Sequence, residues 1–357
     1  MGKFAIFDRF AFRLYEMRRR KRANSRVVRR SLLAELSKQE MASFRSIWGD
    51  CSPISYEFYK GFGLPFDTHF VPNDYYDYAE HILNLRWGAM FLQHKSNLKF
   101  IIPSSHRPNS FLHKIDGHYV LDDNTEISLE EAKSILKEKK VFIRKIALGS
   151  GGGRGVIRVD WDEVANTDTI WEKIMQPEDL VFQDIIRQSS FLESFNPDSI
   201  NTFRLLTLNI NGRCTLLSSF LRMGAKGAFV DNLSAGGLLV GISEDGVLRD
   251  YGIAKDYSKY YESPTGVEFR GVKIPHWDRI MQEVLAFHCR IPYANLIGWD
   301  ITMNQDNEVI VIEINLDSAE IEAHQVFNGP VFGDRFDEVR QYIDAKKPKL
   351  RHAMITF

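Results

Sequence analysis

GWDITMNQDNEVIVIEINLD, residues 298–317, holds two apolar runs separated by the polar triplet Gln305-Asp306-Asn307. Runs of β-branched residues on either side of such a turn predict a hairpin. Period-two alternation puts Glu313 and Asn315 on the same face of the second strand, and Asp300 on the first strand can lie across from them. Two carboxylates and an amide oxygen converging there form an all-oxygen site for a hard cation. Magnesium suits it, keeping waters and substrate phosphates as its remaining ligands. The apolar neighbours Ile310, Val311, Ile312 and Ile314 would make unpaired acids costly to ionise. The competing reading is a solvated strand face that carries acids.

A second stretch, FIRKIALGSGGGRGVIRV at residues 142–159, sets five glycines among the seven residues 149–155 between two strand-like runs. Ordered glycine costs backbone entropy, so such a cluster marks either a hairpin turn or a close approach of backbone to a ligand.

Length and composition bound the answer. The 357 residues suffice for two or three sub-domains with their own cores. Hydrophobic residues make up 44% and charged residues 26%, as in ordinary globular proteins. With 46 basic against 47 acidic residues, the chain as a whole does not advertise a polyanionic partner. Cys51, Cys214 and Cys289 are scattered and odd in number, against a disulfide framework or zinc cluster and in keeping with a reducing cytosol. Neither an apolar membrane span nor a signal peptide is evident, so the expectation is a cytoplasmic protein.

One segment departs from this balance. RLYEMRRRKRANSRVVRR, residues 13–30, carries nine basic residues, and Phe4, Ile6, Phe7, Phe10 and Phe12 precede it. It reads either as a basic helix packed on its own domain or as an interfacial helix through which residues 1–30 contact an anionic membrane surface on the cytoplasmic face. Nucleic acid is not expected, because no stacking platform or zinc module accompanies the charge.

Along the chain, residues 1–60 read as a basic, helical N-terminal region. Residues 61–126 read as an α/β part with aromatic loops, a helix near 80–93 and a short strand at 99–102. Ser128 followed by LEEAKSILKEKK reads as a capped helix. From residue 141 strands dominate, with helices inserted at 161–175 and 276–289 and a final helix at 335–344. The domains expected are 1–60, 61–126, 127–186, 187–334 and 335–357, in an α+β chain.

A lysine four residues before a glycine-rich turn, followed near the C-terminus by Glu-x-Asn, resembles the ATP-grasp superfamily. The resemblance implies the ATP-grasp fold: two α+β sub-domains clasping ATP, with the helical N-terminal region as an addition. It makes Lys145 and Lys95 the nucleotide lysines, with Lys99 and Lys114 as fallbacks for Lys95. It makes residues 149–155, with Ser150, Gly151, Gly152 and Gly153, the loop over the β- and γ-phosphates, whose backbone N–H groups can wrap phosphate oxygens. LVFQDII then supplies the hinge: backbone at Asp184, Ile185 and Ile186 would meet adenine, with Gln183-Asp184 where the family has Glu.

LRMGAKGAFVDNLSAGGLLVGI, residues 221–242, resembles the glutathione synthetase and glutamate ligase branch. There Arg222 would face the γ-phosphate or an acyl phosphate, and Asn232 would lie in a mobile lid. Asp231 stands where that branch usually has a basic residue, and Leu316-Asp317-Ser318 stand where Pro-Gly commonly follows Glu-x-Asn. FLESFNPDSINTFRLLTL, FLRMGAKGAFVDNLSAGG and IGWDIT are most similar to the sugar-transfer-associated ATP-grasp proteins. That makes Asn201, Thr202 and Arg204 cleft residues, with Arg204 in a catalytic role beside Arg222 and Asn232.

The function so implied is an ATP-dependent ligase with two magnesium ions, manganese being a possible substitute. It would join a small-molecule or glycan acid to an amine through an acyl phosphate, in cell-surface polysaccharide biosynthesis. The alternatives are a kinase acting on a sugar or glycan hydroxyl and a non-catalytic nucleotide-binding regulatory protein. The identity of both substrates and the oligomeric state stay open.

Overall fold

A computed structural model describes residues 32–84, 86–150, 153–164, 170–229, 231, 233, 236–317 and 320–353. Five helices open the described chain: α1 (Lys38–Trp48), α2 (Ile54–Phe62), α3 (Asn73–Leu83), α4 (Arg86–Gln93) and α5 (Leu98–Ile101). Ser37 and Glu40 start α1 with a reciprocal capping box, which satisfies two of the helix's orphan N–H groups.

The smaller sheet holds β1 (Ser110–Ile115), β2 (His118–Leu121), β3 (Glu126–Ile127), β4 (Val141–Ile146), β5 (Ile157–Asp160) and β6 (Leu180–Gln183). Its order is β3-β2-β1-β6-β4-β5, antiparallel throughout. Helices α6 (Leu129–Lys139), α7 (Trp161–Val164) and α8 (Ile170–Ile174) belong to this half. Leu112, Phe142, Leu180 and Phe182 on one face pack with Ala132, Leu136 and Ile174. The expected cap of α6 is present, with Ser128 and Glu131 exchanging hydrogen bonds.

After α9 (Ser190–Phe195), the larger sheet holds β7 (Thr202–Ile210), β8 (Arg213–Met223), β9 (Leu238–Ile242), β10 (Leu248–Ile253), β11 (Lys259–Tyr260), β12 (Leu296–Met303) and β13 (Val309–Asn315). Its order is β11-β10-β9-β8-β7-β12-β13. Helix α10 (Trp277–His288) precedes β12, and α11 (Ile321–Asn328) and α12 (Phe336–Ala353) follow β13. Alternation along β7 decides which core each residue joins. Phe203 and Leu205 pack with Trp277, Ile280 and Val284 of α10, while Leu206, Leu208 and Ile210 pack with Phe44, Tyr59, Val339 and Phe327. Helices α1, α2 and α3 therefore cover one face of the larger sheet and share its core, while Leu98 and Ile102 at α5 join the other cluster.

Three sequence expectations are corrected. Residues 99–102 are not a strand: α5 runs Leu98–Ile101, because Leu98 and Ile102 are buried four residues apart while Phe100 stays exposed. The aromatic loop NDYYDY is the first half of α3, whose buried Tyr76, Ala79, Ile82 and Leu83 follow the helical period. The helix expected over 80–93 is two helices, parted where Asn84 adopts extended backbone. The strands of the smaller sheet run from Ser110 to Gln183, on both sides of residue 126.

Asn84 stitches the N-terminal helices to the hairpin read first in the sequence. Its amide donates to the carbonyls of Leu296 and Leu316 at 2.7 and 2.8 Å and accepts from Leu296 N at 2.9 Å. Asn84→Ala strands three buried backbone groups and should cost about 3 kcal/mol in urea unfolding. A loss below about 0.5 kcal/mol would show that the stitch holds nothing.

Candidate functional site

The hairpin fixes the metal candidates. Strands β12 and β13 pair with Asp300 opposite Glu313 and Gly298 opposite Asn315, which brings all three candidates to one face. On the other side of β12, Asp300 is opposite Arg204, and Thr202 pairs with Arg222 across β7 and β8. The site thus occupies the end of the larger sheet's face that the N-terminal helices cover further along.

Asp300 is already held. Arg204 donates to it through Nε at 2.6 Å and NH2 at 3.0 Å, a bidentate pair, and Asn315 Nδ2 adds a contact at 3.3 Å. Burial works to raise its pKa, but the Arg204 and Arg222 guanidiniums prevail and hold the carboxyl below its ordinary value. Arg204, expected among the catalytic residues, donates here to both oxygens of Asp300.

Arg222 lacks such a partner. Asp231, Asp300 and Glu320 stand 3.7, 3.6 and 3.9 Å from its guanidinium nitrogens, beyond hydrogen-bond reach, and its Nε is buried without an acceptor. A buried donor left in this way suits an arriving phosphate oxygen. Thr202 donates a short hydrogen bond to Asp231, whose carboxyl burial pushes up despite Arg222.

Lys145 comes from the smaller sheet, and Lys95 from a turn bonded just past the end of β4. The registers His113↔Val181 and Lys145↔Val181 place Lys145 on the face opposite the packed core of that sheet. Lys95 lies in a single 3-10 turn tied down by its own N–H to Ala147 O at 2.9 Å, just beyond Lys145 on the chain. Its Nζ donates to Glu313 Oε1 at 3.0 Å and reaches Ser150 Oγ at 3.4 Å. Loss of water and the nearby charge of Lys95 push Lys145 down to about 8. The fallback lysines are engaged elsewhere. Lys114 donates to the Gln176 and Pro177 carbonyls from the packed face, and Lys99 to those of Leu121 and Asp122.

The glycine stretch is the connection from β4 to β5. Gly149, Gly153 and Gly155 all have positive φ, and a Cβ at Gly155 would lie 2.4 Å from Ile146 Cδ1. Both reasons for glycine therefore apply at Gly155. Buried Arg144 fastens this end by donating to Gly155 O and Lys173 O. Ser150 donates to Ile146 O. Gly151, Gly152 and Asn232 lie outside the described residues, as does the basic segment at 1–30.

At the hinge, Gln183 is buried and donates to Ser110 Oγ, while Asp184 accepts from Asn109 at 2.6 Å and Lys139 at 2.8 Å. Backbone N–H of Asp184 is also engaged, by Asn109 O. Ile185 and Ile186 border a pocket of about 260 Å³ with Arg107, Asn109 and the turn at Asn304–Asp306.

Glu320 was not legible as a site residue. It holds a left-handed conformation ahead of α11, with Oε2 3.6 Å from Arg204. An acid before an apolar helical run is its only sequence signal, and that signal says nothing about arginines on distant strands.

The donor set fits a divalent ion in part. Glu313 and Asn315 offer oxygens on one face, whereas both Asp300 oxygens are committed to Arg204. Among the described residues no three His, Cys, Asp or Glu side chains converge as a metal site. An ion here would therefore depend on phosphate oxygens and the Asn315 amide as well as on Glu313. Among the described residues no helix is long and apolar enough to cross a membrane, and none of the three cysteines forms a disulfide.

Among solved structures, the ATP-grasp ligase PsnB complexed with minimal precursor is 10% identical, at a TM-score of 0.40, with 73% of this chain and 64% of that chain covered. D-alanyl-alanine synthetase A from Vibrio cholerae O1 biovar eltor is 14% identical at a TM-score of 0.40, covering 71% of this chain and 65% of that one. VanG D-Ala:D-Ser ligase from Enterococcus faecalis is 12% identical at 0.43, covering 72% and 62%. The chain thus matches less than two thirds of the length of each. No curated protein matches it. The model of the family described as sugar-transfer associated ATP-grasp matches residues 118–341, more than half of the chain and both sheets' site-bearing strands. The chain belongs to the sugar-transfer associated ATP-grasp family.

Proposed function

We propose that this protein is an ATP-dependent ligase that activates a carboxylate as an acyl phosphate and passes it to an amine, in the making or modification of cell-surface polysaccharide. The observation that carries this reading is the gathering of Lys95, Lys145 and Arg222 about Glu313, Asn315 and Asp300. Lys95, Lys145 and Arg222 are cations that an arriving polyphosphate can engage, while Glu313 and the Asn315 amide can take up an accompanying cation. The family's description supports the polysaccharide context.

Lys95 and Lys145 would offset phosphate charge, and Arg222 would donate its unpartnered Nε to the transferring group. Arg204 fixes Asp300, so that carboxylate keeps its place while charge moves nearby. Magnesium or manganese, when bound, would neutralise the phosphates and draw on Glu313 and Asn315. A second ion would require Asp300 to leave Arg204. Closure of the β4–β5 glycine stretch would exclude water that otherwise hydrolyses an acyl phosphate.

Calorimetric titration with ADP, with and without Mg²⁺, tests the site. Wild-type protein should bind ADP about tenfold tighter with Mg²⁺, and Glu313→Gln should lose that gain, the worth of about one charge-assisted contact. Failure of wild-type protein to bind either nucleotide form would overturn the reading. Phosphate balance then separates ligase from kinase: a ligase releases inorganic phosphate only when acid and amine are both present, and a kinase releases none.

A further inference from the structure

The two residues assigned to opposite ligands are bonded to each other. Lys95 Nζ lies 3.0 Å from Glu313 Oε1, with the lysine side chain 8% exposed and the glutamate 25%. The turn that carries Lys95 is bonded to Ala147 of the smaller half, while Leu92 and Leu98 on either side of it pack with the larger sheet's core, to which β13 and Glu313 belong. Neither is a loosely solvated surface group, so the contact has a fixed geometry on both sides.

We propose that the Lys95–Glu313 ion pair is a latch across the site, in which each side chain holds the place of the other's ligand, so that nucleotide and divalent cation bind well only together. This rests on the site reading above, with Lys95 as a phosphate contact and Glu313 as a metal contact. A cation arriving alone meets Glu313 already neutralised and must displace an ammonium. A nucleotide arriving alone must strip Lys95 from Glu313 and leave a carboxylate facing phosphate. When both arrive, the lysine turns to phosphate and the glutamate to the ion, and every charge is again paired. The coupling is reciprocal by linkage, so it appears in the binding of either ligand.

Lys145 provides the control, because it carries the same charge into the same site, and its charge interacts with Glu313 without a hydrogen bond between the two. The experiment measures Mn²⁺ binding alone by electron paramagnetic resonance and ADP binding in EDTA by calorimetry, on full-length protein with melting temperatures checked. Lys95→Met should bind Mn²⁺ alone about tenfold tighter than wild type, the worth of one charge-assisted hydrogen bond. Lys145→Met should gain at most about a fifth of that, as expected for screened charge without a bond. Glu313→Gln should bind metal-free ADP tighter than wild type. If Lys95→Met and the milder Lys95→Gln bind Mn²⁺ no better than wild type or Lys145→Met while wild-type protein binds Mn²⁺ and ADP together, the latch is wrong and the site reading stands. If wild-type protein binds no ADP even with Mn²⁺, the site reading fails and the latch falls with it.

Discussion

Arg204→Met should cost the folded protein about 3–5 kcal/mol, measured by urea unfolding, because it leaves a buried carboxylate without its bidentate partner. The carboxylate is Asp300, only 8% exposed, and the arginine donates to both of its oxygens. Arg222 stands 3.6 Å away and Asn315 contributes one weaker bond, so some compensation places the loss toward the lower end. The double variant Arg204→Met with Asp300→Asn should regain most of the loss, since no uncompensated charge is then buried. The expected coupling is a couple of kcal/mol, within the range for residues in direct contact. A single-variant loss under about 1 kcal/mol, or a double variant no better than the single, would show that Asp300 does not depend on Arg204. The pH dependence has a definite sign. Asp300 has a lowered carboxyl pKa in the folded state, so its contribution is present above the ordinary aspartate pKa and is lost as pH falls through the lowered value.

Asp300 and Arg204 also show what the sequence could and could not reveal. The runs TFRLLTLNI and EVIVIEIN give both strands, and alternation gives the faces along β7, whereas in β13 a register shift at Ile312 moves the core-facing positions from Val309 and Val311 to Ile314. The serine cap of α6 was equally plain, because capping is local chemistry between Ser128 and Glu131. Strands β1, β2 and β3 are not evident in the sequence, since SFLHKI and HYVL are short; SFLHKI takes its strand conformation from neighbours at residues 180–183, and HYVL from SFLHKI. KFII looked like a strand for its β-branched pair, yet burial of Leu98 and Ile102 selects a helical turn. The same limit applies in the site. Period two could bring Asp300, Glu313 and Asn315 together, because they share a hairpin. It could not say that Arg204, 96 positions away, would take both oxygens of Asp300, or that Glu320 would reach two arginines. Those contacts are set by sheet order, in which β7 lies between β8 and β12.

Lys145 gives the second large effect, and it is a proton effect. Its pKa in the free protein is lowered from 10.5 to about 8, by loss of water first and by Lys95 second. A folded-state value below the unfolded one means that the unfolded chain binds more protons between those two limits. Stability from this group therefore rises as pH goes from about 8 to 10.5, and below 8 the charged lysine is a standing cost. Nucleotide binding has the opposite sign, because phosphate favours the charged ammonium and draws a proton onto it. ADP affinity should then be flat below pH 8 and fall roughly tenfold per unit above it, with proton uptake visible as a buffer-dependent heat of binding. Lys145→Arg should flatten the profile, since guanidinium stays charged throughout, while Lys145→Ala should weaken binding about ten- to a hundredfold at pH 7. A wild-type profile that stays level to pH 9.5, or a Lys145→Arg profile with the same slope, would place the titrating group elsewhere. Because the two signs oppose each other, one pH series of melting temperatures with and without ADP separates the two effects. The free protein should gain stability above pH 8 through this lysine, whereas the stabilisation added by ADP should shrink over the same range.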